Sequence, residues 1–215
     1  MNKKRAILAL NGIPAVAKEE YRHFLDIEHS LLIGADGGAL FLEKIDCKAD
    51  LIIGDLDSLP AAKVSEYQQL GIKLLQYPLE KDQTDGELAL QFCIENGLEE
   101  VVIIGASGGR IDQQLANIFL LEYAVRHQLK AMIREPGLEI GIIMGEKEFL
   151  NKKGWGLSLI PLDERISDVS IYGCQYRLNR EELTRYKTRG ISNRIVAERA
   201  VVEIADGLLL YLLTD

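Results

Sequence analysis

Short apolar runs that each lead into an aspartate- or glycine-bearing loop, with helical periods between them, restrict this chain to an α/β architecture. Leu31-Leu32-Ile33, Leu51-Ile52-Ile53 and Val101-Val102-Ile103-Ile104 have the length and character of buried strands. Behind them come Gly34-Ala35-Asp36-Gly37-Gly38, Gly54-Asp55-Leu56-Asp57-Ser58 and Gly105-Ala106-Ser107-Gly108-Gly109-Arg110-Ile111-Asp112. A fourth loop, Lys81-Asp82-Gln83-Thr84-Asp85, follows the run from Ile72 to Leu75, and Ala6 to Leu10 supplies a further strand ending at Asn11-Gly12. Between these runs, Ala17, Tyr21, Phe24 and Leu25 share helical spacing, and Pro60 and Gly71 bracket a second helix. Thr84-Asp85-Gly86-Glu87 has capping-box spacing and opens a helix that stops at Asn96-Gly97. Leu115, Ile118 and Phe119 mark one face of another helix near residues 112–127. Such alternation predicts βαβ units and a parallel sheet covered on both faces. In such a sheet the loops at the strands' carboxyl ends share one edge, where ligands bind.

The pattern changes near Arg134-Glu135-Pro136-Gly137. Apolar runs then follow one another at Leu138–Met144, Lys147–Leu150, Leu157–Ile160, Val169–Tyr172, Val201–Ile204 and Leu208–Leu213. Asp206-Gly207 between the last two predicts a tight hairpin. The expectation is an α/β domain over residues 1–134 and a small antiparallel sandwich or barrel over 135–215.

With 215 residues and 47% hydrophobic content the chain can bury a real core, and a net charge of −8 disfavours nucleic-acid and anionic-membrane surfaces. Cys47, Cys93 and Cys174 are isolated and odd in number, which indicates neither a disulfide framework nor a structural zinc site. Neither a signal peptide nor a membrane span is read, so a reducing, cytoplasmic setting is expected.

Asp55 and Asp57 flank Leu56, so in extended backbone both carboxylates project to one side. Hard oxygen ligands of this kind suit Mg²⁺, with Asp85 and the nearby Asp82 able to complete the site. Each aspartate alone reads better as a helix cap, since Asp57-Ser58 precedes one helix and Asp85 opens another. Three converging on one edge favour the ion. Ser107-Gly108-Gly109-Arg110 lets backbone N–H groups approach phosphate oxygens at a helix start, with Arg110 as a bidentate clamp. A plain glycine turn is the alternative there, as it is at Asp36-Gly37-Gly38. Asp112 either holds Arg110 or caps the helix. Lys81 beside two aspartates can neutralise phosphate, although a solvated surface lysine is the commoner reading of any one lysine. The P-loop, dinucleotide and protein-kinase signatures are absent, and the three histidines fall outside the loops. Chemistry by metal and positioning is therefore favoured over a histidine base.

Taken in order, Gly34-Ala35-Asp36-Gly37-Gly38-Ala39, Asp50-Leu51-Ile52-Ile53-Gly54-Asp55-Leu56-Asp57-Ser58, Asp82-Gln83-Thr84-Asp85 and Gly108-Gly109-Arg110-Ile111-Asp112 resemble the thiamine pyrophosphokinase family. Leu159-Ile160-Pro161-Leu162 and Gly190-Ile191-Ser192-Asn193 match that family's second half. The resemblance implies a three-layer α/β domain that binds ATP, a β-sandwich that binds thiamine, and a homodimer with the vitamin where subunits meet. It implies transfer of the terminal diphosphate of ATP to the hydroxyethyl arm of thiamine, giving thiamine diphosphate and AMP. Asp55, Asp57 and Asp85 would then hold Mg²⁺, and with Arg110 form the catalytic set. Asp36, Gly37, Ser58, Lys81, Asp82, Thr84, Ser107, Gly108, Gly109, Arg110 and Asp112 would order the nucleotide, and Tyr176, Ser192 and Asn193 the thiamine. Gln113 departs from a histidine common in bacterial members, Leu56 from a phenylalanine and Ala49 from a proline. The same phosphate apparatus would also suit a pyrophosphokinase acting on another heteroaromatic alcohol. A non-catalytic sensor is disfavoured by the retained carboxylates.

Overall fold

The computed structural model describes residues 3–13, 17–80 and 82–215, in two compact units, Met1–Pro136 and Gly137–Asp215. Lys81 lies outside the described residues.

The first unit alternates throughout. Its order is β1 Arg5–Ala9, α1 Lys18–Phe24, β2 Ser30–Ala35, α2 Gly38–Lys44, β3 Leu51–Gly54, α3 Ala61–Gln69, β4 Lys73–Gln76, α4 Asp85–Glu95, β5 Glu100–Ile104, α5 Ile111–Arg126 and β6 Lys130–Glu135. The strands lie side by side as β6-β5-β1-β2-β3-β4, every pair parallel. Because β1 to β4 step one way and β5 and β6 return on the other side of β1, right-handed crossovers place α1, α2 and α3 on one face and α4 and α5 on the other. Tyr21, Phe41, Leu42 and Tyr67 from the first three helices share one cluster with Ile7, Leu32 and Ile52 of the sheet. Central strands are buried on both faces, which explains their unbroken apolar runs. The strand order reverses between β1 and β5, and a ligand crevice is expected at the carboxyl ends there.

Local signals account for some boundaries. Thr84 caps α4, its Oγ1 accepting the Glu87 N–H at 3.2 Å. Pro60 is the cap residue before α3 rather than its first helical residue. Two elements of this unit go unread in the sequence: α2, which starts inside the Gly37-Gly38 turn, and β6. Among the described residues no helix is long and apolar enough to cross a membrane.

The second unit is two antiparallel sheets. Its strands are β7 Leu138–Ile143, β8 Glu146–Leu150, β9 Gly156–Pro161, β10 Arg165–Tyr172, β11 Leu178–Thr184, β12 Asn193–Arg194, β13 Arg199–Glu203 and β14 Leu209–Thr214. Here β12-β9-β14-β7 face β11-β10-β13-β8. Leu157, Leu159, Leu209 and Tyr211 from one sheet and Ile166, Val169, Ala200 and Val202 from the other share one core. The Asp206-Gly207 hairpin is not formed. β13 pairs with β10 and β8, whereas β14 pairs with β7 and β9, so this turn carries the chain between sheets. Asp163 pins it there, its Oδ2 accepting the Leu208 N–H at 2.7 Å.

Candidate active site

At the tips of β2 and β3 three carboxylates converge. One oxygen from each of Asp36, Asp55 and Asp57 lies within 4.8 Å of the others. Asp36 is 5% exposed and sits in left-handed backbone at φ 45°. Its N–H donates to Ile53 at 2.8 Å, which ties the end of β2 to the end of β3. Its Oδ1 is buried and has no hydrogen-bond partner. A buried carboxylate oxygen without a donor is costly. A hard divalent cation satisfies such an oxygen, and carboxylate oxygens at this spacing are hard donors of the kind it takes. The residues present therefore fit a divalent ion.

Asp55 and Asp57 meet by a route other than the extended backbone expected for them. Leu56 is left-handed at φ 67° and buried, so the segment turns. The Asp57 N–H then donates to Asp55 Oδ1 at 3.2 Å, and Ser58 Oγ to Asp57 Oδ1 at 3.3 Å. Asp85, first residue of α4, meets Asp36 over the open face of Gly54. A Cβ on Gly54 would lie 3.0 Å from both Asp36 Cβ and Asp85 Oδ1. So Asp36, read from sequence as a nucleotide contact, stands in the trio, and Asp85 stands beside it.

A cavity of about 170 Å³ opens next to this cluster at the switch between β1 and β5. Asp36, Ser58, Thr84, Asp85 and Gly108 line it, as do residues that sequence reading did not assign, Asn11, Gly12 and Asn117 among them. Asn11-Gly12 ends a strand at the reversal point, a signal that was available. Gly37 packs directly against the Asn11 side chain. Ser107, Gly109, Arg110 and Asp112 lie outside the lining, on the loop that borders it, and Asp82 stands exposed between β4 and α4.

The glycine loop leads into α5, with Arg110 as its cap residue. Asp112 does both jobs open to it. Its Oδ1 accepts Arg110 Nε at 3.1 Å and the Gln113 N–H at 2.9 Å. The Arg110 guanidinium holds the Asp112 carboxyl below its ordinary range. This bond and the one from Nη2 engage two of the five donors of a guanidinium, which leaves most of the fork for an anion.

In the second unit, Tyr176 is 63% exposed and Asn193 only 7%. Asn193 Oδ1 accepts the Tyr176 N–H at 2.9 Å and Nδ2 donates to the Tyr176 carbonyl at 2.7 Å. Oδ1 also accepts the Arg194 N–H. Its carboxamide is thus largely committed to the Tyr176 backbone. Ser192 is exposed, left-handed at φ 60°, and its N–H donates to Ser158 Oγ at 3.1 Å.

Comparison with known proteins follows the same division. The family profile "Thiamin pyrophosphokinase, catalytic domain" matches residues 23–133, and "Thiamin pyrophosphokinase, vitamin B1 binding domain" matches residues 147–209. A thiamine pyrophosphokinase of Bacillus subtilis (strain 168) is 32% identical over 187 residues, 85% of this chain and 86% of that protein. The crystal structure of thiamine pyrophosphokinase from Bacillus subtilis aligns at a TM-score of 0.86 and 27% identity, covering 98% of this chain and 99% of that one. Yeast thiamin pyrophosphokinase, 18% identical, shares the fold at a TM-score of 0.79 over 100% of this chain and 87% of that one. The chain belongs to the thiamin pyrophosphokinase family, enzymes that transfer diphosphate from ATP to thiamine.

Proposed function

We propose that the strand-tip loops of the first unit, taken as residues 1–134, perform this transfer as a single in-line displacement with Mg²⁺, on thiamine bound by residues 135–215. The convergence of Asp36, Asp55 and Asp57 within 4.8 Å, with a buried oxygen lacking a donor, is the observation that carries the reading. These three would hold the ion, with Asp85 beside them. When bound, Mg²⁺ offsets charge on the ATP phosphates and on the departing AMP. The cleft fixes the nucleotide among Asp36, Ser58, Thr84, Asp85 and Gly108, with Gly37 and the rest of the Ser107–Arg110 turn at its border. The thiamine hydroxyl oxygen attacks the β-phosphorus as the bridge to the α-phosphorus breaks, and AMP leaves with the bridging oxygen. A site carboxylate takes the hydroxyl proton. Arg110 and the N–H groups of the glycine turn stabilise the equatorial oxygens. Asp82 and Asp112 support the loops on either side.

On the vitamin side, Tyr176 offers an exposed aromatic face, and Ser192 an exposed hydroxyl. Asn193 acts by holding the Tyr176 backbone in place. Asn193→Ala is therefore expected to raise the thiamine KM about tenfold and leave the ATP KM unchanged, in steady-state assays. The assembly we infer is a cytoplasmic homodimer.

Purified protein incubated with thiamine, ATP and Mg²⁺ should release AMP and thiamine diphosphate in equal amounts, and chelation of the metal should stop both. Formation of ADP in place of AMP sinks the proposed displacement.

A further inference from the structure

Glu135 ends β6 with a carboxylate that is 8% exposed and has no part in the chemistry above. Its Oε1 accepts the Ala106 N–H at 3.0 Å. Burial is the strongest influence on this carboxyl and pushes its pKa up. The Tyr21 side chain and the N–H groups of Ala106, Gly105 and Ser107 act in the opposite direction. A carboxylate is expensive to bury, and here the Ala106 N–H satisfies Oε1 while Oε2 is buried with no hydrogen-bond partner.

The Ala106 peptide is gripped at both ends. Its N–H goes to Glu135, and its carbonyl accepts Asn117 Nδ2 from α5 at 3.0 Å. Beyond it, the Ser107 carbonyl accepts the Ile13 N–H at 3.2 Å, and the Gly109 carbonyl accepts Gln114 Nε2 at 3.2 Å. The loop is pressed close to the strand beside it. Gly105 is at φ 64°, and a Cβ there would lie 2.5 Å from the Leu10 carbonyl oxygen. Rotation of the Ala106 peptide would thus re-aim the whole Gly108–Arg110 turn.

We propose that Glu135 is a positioning residue for ATP: together with Asn117 it fixes the Ala106 peptide and so sets the direction in which the Gly108–Arg110 turn presents its donors to phosphate. It does not touch substrate. The inference rests on the reading of that turn as a phosphate clamp.

Glu135→Gln keeps the shape of the side chain and an acceptor oxygen for the Ala106 N–H, but removes the charge that strengthens that bond. The ATP KM should rise about ten- to hundredfold while the thiamine KM stays within about twofold. Arg110→Ala supplies the reference. In that background Glu135→Gln should cost far less than it does alone, because the guanidinium it aims is gone. An unchanged ATP KM, equal losses for both substrates, or full additivity with Arg110→Ala overturns the proposal. If Arg110→Ala itself leaves ATP use untouched, the clamp reading fails and takes the proposal with it. Should Glu135→Gln fail to fold, Asn117→Ala is measured in the same way. It removes the other end of the grip and leaves no unpaired buried charge, and an ATP-selective loss coupled to Arg110 is again required.

Discussion

Asp57→Asn should lower kcat at least about a hundredfold while the thermal midpoint moves by no more than about two degrees, and upward if at all. The two halves of this result have separate causes. Asp57 is exposed, and the bonds from its N–H to Asp55 and from Ser58 to its carboxylate are both local to the turn. An amide can keep the second through its carbonyl oxygen. Without the ion, three carboxylates within 4.8 Å repel one another, so removing one charge relaxes the metal-free protein. With nucleotide bound, the same charge holds the ion that makes the phosphates attackable. Paired measurement of kcat and of melting in chelator checks the claim. A fall in melting that matches the fall in activity would mean that Asp57 is only a turn residue.

Gly54→Ala is expected to damage both properties. Gly54 has φ 152°, a region that L side chains rarely adopt, and the added Cβ would sit 3.0 Å from Asp36 Cβ and from Asp85 Oδ1. Strain of about 1–3 kcal/mol is typical of such positions, so melting should fall by roughly 3–10 °C. Both aspartates must also shift, and a displacement of about 1 Å in a reacting geometry costs on the order of a hundredfold. Metal titration of the purified variant should show weaker binding alongside the lost turnover. Weaker folding with normal metal affinity would contradict the idea that Gly54 spaces the carboxylates.

These two residues also mark what sequence can and cannot reveal. Strand tips were legible because buried parallel strands write continuous apolar runs, and the glycine and aspartate loops sit directly after them. Thr84 and Asn96 at the ends of α4 were legible because capping is local chemistry. The backbone path between Asp55 and Asp57 was not, since nothing local in the sequence marks Leu56 as left-handed and buried. The Asp206-Gly207 turn shows the same limit from another side. Turn chemistry specifies a reversal of direction, but not which strand the chain will join. β11 escaped notice because it is an edge strand in which only Leu183 is buried, so no period of two is written. Within the site, Asp36 was flagged but its place in the trio depends on β2 and β3 being neighbours. Glu135 carries no local signal at all, because its partner Ala106 is 29 residues away.

The placement of β14 bears on how the second unit comes into being. It is the latest in sequence of its sheet's four strands, yet it lies inside that sheet, between β7 and β9. Leu138 finds its register partner only at Thr214. During synthesis β7 and β9 therefore emerge with their inner edges unpaired and wait for residues 209–214 to clear the ribosome. A nascent chain stalled short of that point exposes two strand edges open to pairing with other chains.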